Sequence, residues 1–99
     1  VLGHSGCGAV SSVVTGDHSL ERMDHLTVPI REALASLTPV ARQLASADTL
    51  VSAVVRQHAL LTRDRIGAAS AFLAQAVAEG RVRAEAAVFD MNTGRVNWL

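Results

Sequence analysis

Val1-Leu2-Gly3-His4-Ser5-Gly6-Cys7-Gly8-Ala9-Val10 is the stretch from which the rest of the chain is read. An apolar pair runs into a glycine-flanked loop that carries one imidazole and the only thiol, and Ala9 to Val14 reads as the opening of a helix. A strand feeding a helix through such a turn points to an α/β arrangement. His4 and Cys7 stand three residues apart on that turn, close enough to serve one ion, and a neutral imidazole with a thiolate suits zinc. A helix beginning at Cys7 adds unpaired N–H groups that favour an anionic ligand. Two ligands are only part of a zinc site, which takes about four in tetrahedral array. A lone cysteine is also commonly a small buried hydrophobe. The spacing alone leaves both readings open.

Outward from this loop, Thr15-Gly16-Asp17-His18-Ser19-Leu20 is a turn and cap cluster that ends the first helix and starts a short one. His18 and His25 fall in polar, acid-flanked sequence and read as solvated surface residues. Thr27-Val28-Pro29 predicts an N-cap with proline in the first turn, and Ile30, Leu34 and Leu37 recur at helical spacing. Thr38-Pro39 punctuates that helix. Val40 to Gly80 is the long helical portion, with Leu50, Val54, Gln57, His58 and Leu61 on one stripe while Arg56, Arg63 and Arg65 face elsewhere. His58 has no acidic or histidine partner three or four residues away, so it reads as a hydrogen-bonded core or interface histidine. Gly67 predicts a break before a second helix in which Phe72, Leu73, Ala76 and Val77 are buried. Ser70 is a cap candidate there and Gly80 the C-cap. Val82 to Leu99 predicts a strand, a turn at Asn92-Thr93-Gly94, and a last strand that alternates.

Composition narrows the function. With 99 residues, 49% of them hydrophobic, the chain is globular and has enough apolar residues to form a core the size of one small domain. Nine arginines and no lysine balance nine acidic residues, so no basic surplus recommends nucleic acid or an anionic membrane. Three aromatics offer no stacking platform for bases. One cysteine forms no internal disulfide, and there is no signal peptide or apolar run of about 18 residues, which makes a reducing cytoplasm the default. The chain opens without Met inside what reads as a strand, as a fragment would.

Leu2-Gly3-His4-Ser5-Gly6-Cys7-Gly8-Ala9-Val10 resembles the second zinc motif of the β-class carbonic anhydrases, an apolar strand end followed by G-H-x-x-C-G-A-V. Ala76 to Leu99 is similar to the closing segment of that family: a helix ending at Gly80, a strand, the D-x-x-T-G turn Asp90-Met91-Asn92-Thr93-Gly94, and a last strand. Val28-Pro29-Ile30-Arg31-Glu32-Ala33-Leu34 resembles its proline-started helix. The resemblance covers most of residues 1–99 but only the C-terminal portion of the family's single domain. It implies an α/β fold with a mostly parallel sheet flanked by helices. It also implies a zinc enzyme that reversibly hydrates carbon dioxide to bicarbonate and a proton, by lowering the pKa of a bound water from about 16 towards 7.

In the family pattern the metal ligands are two cysteines and a histidine, and His4 and Cys7 match the second and third. The first belongs to an upstream C-x-D-x-R motif whose Asp and Arg form a dyad at the bound water. Asp17, Asp24, Asp48, Asp64 and Asp90 all lack that setting, so no catalytic dyad is assigned in this chain. The family's intertwined assemblies imply a homodimer or higher homo-oligomer. Three functions compete on these residues: the tail of a working carbonic anhydrase, a zinc-binding structural or regulatory relative without turnover, and a thiol-based role for Cys7.

Overall fold

β1 (Leu2–His4) is the first element of a computed structural model that describes every residue, Val1–Leu99. It leads into α1 (Gly8–Thr15), a 3-10 turn (His18–Leu20), α2 (Asp24–Ser36), α3 (Pro39–Leu44), α4 (Ala47–Ala69) and α5 (Ala71–Ala78). The chain closes with β2 (Ala87–Phe89) and β3 (Val96–Trp98). The sheet has the order β1-β2-β3, with β1 parallel to β2 and β2 antiparallel to β3. It is therefore mixed, one pairing of each kind, where a mostly parallel sheet was expected. The physical reason lies in the connections: five helices separate β1 from β2 and permit a parallel crossover, whereas the short Asp90–Arg95 turn forces β3 back antiparallel.

Side-chain caps place most helix starts where polar residues interrupt the apolar pattern. Asp17, Thr38, Ser46 and Ser70 each accept a hydrogen bond from a backbone N–H in the turn that follows. Two boundaries differ from expectation. α2 starts at Asp24 rather than after Thr27, so Pro29 lies inside the helix. The carbonyl it leaves without a partner is that of His25, on the exposed first turn where water reaches it. α4 runs through Gly67 to Ala69, and the break comes at Ser70, whose extended backbone and capping hydroxyl end one helix and begin the next. A glycine weakens a helix by about 1 kcal/mol, which one already packed along its length tolerates.

α4 is the centre of the packing, resting against α1, α2, α5, β1 and β2. Val51, Val54 and Val55 from α4 join Val10 from α1 and Ile30 and Ala33 from α2 in the main buried cluster. Close contacts elsewhere are made by alanines, with Ala59, Ala76, Ala86 and Ala87 all buried. In α5 only Ala76 of the expected stripe is fully buried; Leu73 is half-buried, and Phe72 and Val77 face outward. Gly3 on β1 has a backbone-level role in this packing. A Cβ there would stand 3.1 Å from Val55 Cγ1 and 3.7 Å from Ala59 Cβ, so the missing side chain is what lets α4 lie against β1.

No helix is long and apolar enough to cross a membrane. The fold nevertheless exposes much of itself. Its surface of 6522 Å² exceeds the roughly 5,400 Å² expected of a compact monomer of this mass. Its radius of gyration, 14.6 Å, exceeds about 12.6 Å on the same basis.

Candidate metal half-site

β1 ends at His4, in register with Phe89 of β2, and the loop that follows is pinned to the end of the sheet. Ser5 donates its N–H to the Phe89 carbonyl at 2.9 Å, and its Oγ accepts from the Met91 N–H at 2.9 Å. Asp90 closes the adjoining turn. Its N–H donates to Arg95 O at 2.8 Å, its carbonyl accepts from Gly94 N–H at 2.8 Å, and its carboxylate accepts from Asn92 N–H at 2.8 Å. That Asn92 amide, with the Thr93 hydroxyl, holds the Asp90 carboxyl below its ordinary value. Gly6 then turns the chain at φ +62°, a left-handed conformation that a residue with a Cβ adopts at a cost. Cys7 follows as the N-cap residue of α1, and its carbonyl accepts the N–H of Ser11 at 2.9 Å.

These constraints prepare both donors. The Nδ1 of His4 lies 3.0 Å from the Ser5 carbonyl. A carbonyl only accepts, so in the neutral ring it is Nδ1 that carries the proton and Nε2 that offers a lone pair. The Cys7 side chain makes no capping hydrogen bond and is half-buried. His4 and Cys7 both line a cavity of about 290 Å³ between β1, the start of α1 and one face of α4. The structure thus places the two sequence-predicted ligands at one opening. In kind they suit zinc; in number they fall short. No group of three or more His, Cys, Asp or Glu side chains in the chain is arranged to hold an ion.

His18 and His25 are exposed and lie away from this cavity, with His18 paired to Glu21. His58 is different. It was expected to be a hydrogen-bonded core or interface histidine, but it lines the same cavity as His4 and Cys7, half-buried, with Thr62 one turn further along α4. Burial, and after it the charge of Arg65, hold His58 below the ordinary histidine value, and no hydrogen bond contributes. The sequence signal for these two residues was their spacing. Val55, His58, Ala59 and Thr62 follow at helical intervals, but the helix stripe gives no sign of which face meets β1.

Comparison with curated proteins and with solved structures gives no match. Comparison with family models does: the model described as carbonic anhydrase matches residues 1–96. That span takes in the His4–Cys7 loop, all five helices, the Asp90 turn and the start of β3. The chain belongs to the β-class carbonic anhydrase family.

Proposed function

We propose that this chain carries part of the zinc site of an enzyme that reversibly hydrates carbon dioxide to bicarbonate and a proton, with His4 Nε2 and Cys7 Sγ as two of the metal ligands. The observation that carries this reading is that these two donors open on one cavity in a chain whose carbonic anhydrase match runs over residues 1–96. Zinc, when bound, supplies the Lewis acid that lowers the pKa of a coordinated water. The residues of this chain orient and release the donors: the Ser5 carbonyl sets the His4 tautomer, and Gly6 and the α1 start present Cys7. On this reading residues 1–99 are the C-terminal portion of a single domain, as the family resemblance implies. The remaining ligand and an Asp–Arg dyad are then supplied from outside them.

Zinc content and a carbon dioxide hydration assay test this. His4→Ala and Cys7→Ala should each lower zinc content steeply, while His18→Ala and His25→Ala leave it unchanged. Equal loss in either of the latter refutes the assignment. The 99-residue chain alone should turn over little or no substrate, since outer partners of a metal site are alone worth about 10–100-fold. Robust turnover would overturn the incomplete-site reading. A second reading, a zinc-binding structural or regulatory relative without turnover, is favoured by the two-donor count itself. It predicts stoichiometric zinc without activity even when the upstream motif is present.

Assembly into a homodimer or larger homo-oligomer belongs to the same proposal. The surface excess of roughly 1,100 Å² is of the order that one partner contributes to a stable interface, about 800 Å². A reducing, cytoplasmic setting fits a site in which Cys7 stays a free thiol.

A further inference from the structure

α4 presents two unlike rows to the cavity that His4 and Cys7 share. One row, Val55 and Ala59, is buried and supports β1 across Gly3. The other, His58 and Thr62, is half-buried and offers polar groups one helical turn apart. A half-buried polar group facing a cavity is satisfied by water, and it is available to bond with something else that enters.

Three features define what that something is. The His58 ring carries at least one N–H to donate in either protonation state, and the Thr62 hydroxyl supplies a second donor. The cavity is lined by no carboxylate, and Arg65, whose charge acts on His58, is already paired with Glu32, so on the α4 side the wall offers donors to an anion and no competing carboxylate. At about 290 Å³ the space is far larger than one water, which occupies about 30 Å³, and Val10 and Val55 give it apolar walls beside the polar row.

We propose that His58 and Thr62 are substrate-binding residues that donate hydrogen bonds to a small planar oxyanion, bicarbonate, on the α4 side of the cavity. This rests on the carbonic anhydrase reading for the identity of the anion and adds a binding wall to it. The wall comes from the long helix rather than from the metal loop.

The test is a bicarbonate titration of the full chain labelled with ¹⁵N in its histidine rings, followed by NMR. The His58 ring signals should shift and saturate, whereas those of His18 and His25 stay in place. Thr62→Val keeps the side-chain shape and deletes the hydroxyl; His58→Phe keeps a ring and deletes the donor. Each should weaken bicarbonate binding about tenfold or more, the usual scale for a hydrogen bond to a charged group. His58→Gln, which retains an N–H, should recover part of the loss. Wild-type affinity in both Thr62→Val and His58→Phe overturns the proposal. So does the absence of a saturable shift at His58, or an equal shift with chloride at matched ionic strength. Failure of the zinc assignment is read separately, because it appears as metal content that is indifferent to His4→Ala and Cys7→Ala.

Discussion

Gly3→Ala tests how β1 and α4 are held together, and its cost follows from one distance. The added methyl would meet Val55 Cγ1 at 3.1 Å, inside the 3.5–4.0 Å at which carbon atoms attract. Val55 is 4% exposed and sits inside a helix, where a β-branched side chain has essentially one rotamer, so it does not swing away. Overpacking of this kind costs about 1–3 kcal/mol. Against it, alanine restricts the unfolded chain more than glycine does, worth about 0.4–1 kcal/mol where the backbone is compatible. The net expectation is a loss of about 0.5–2 kcal/mol, a fall in Tm of several degrees by the usual scaling of about 4–8 °C per kcal/mol for a domain of this size. Val55→Ala alone should cost roughly 1.5–3 kcal/mol for the buried methyl groups removed. The two together should cost about 1 kcal/mol less than their sum, because the alanine methyl enters the space that Val55 vacates. Thermal and urea unfolding of the four proteins measure this cycle. If Gly3→Ala melts at or above wild type and shows no coupling to Val55→Ala, the close approach of strand and helix is not what the glycine provides.

Thr27 is 1% exposed and its Oγ1 is buried without a partner, so Thr27→Val, which keeps the shape and removes the orphaned hydroxyl, should raise stability by about 1 kcal/mol in urea melts; destabilisation would mean that the hydroxyl is satisfied in solution. The folded state holds His58 below 6.5, so the unfolded chain binds more protons once pH drops below that value. Stability should therefore be level above it and decline as pH falls towards the folded value, and His58→Phe should flatten this limb of a Tm–pH profile. Leu44, Phe72 and Trp98, at 82%, 70% and 72% exposure, lie on a surface too large for a compact monomer, and sedimentation should show self-association; a monodisperse, cooperatively melting monomer would contradict it.

Short-range chemistry is legible in the residues alone. Gly16-Asp17, Thr38-Pro39, Ser70 and Gly80 mark the ends of elements because their φ preferences and hydroxyl or carboxylate acceptors act within a turn of the chain. The Asp90 turn and the His4–Cys7 loop were legible for the same reason: each is a local pattern of glycines and side-chain acceptors. Where local signals conflicted with packing, packing prevailed. α4 continues through Gly67, α2 absorbs Pro29, and Phe72 faces out although its spacing placed it on a buried stripe. The tertiary structure alone decided which helix face meets β1, because that depends on Gly3 admitting Val55 and Ala59 from more than fifty residues away. That contact brings His58 and Thr62 beside His4 and Cys7, and no periodicity within a single helix encodes the partner across the gap.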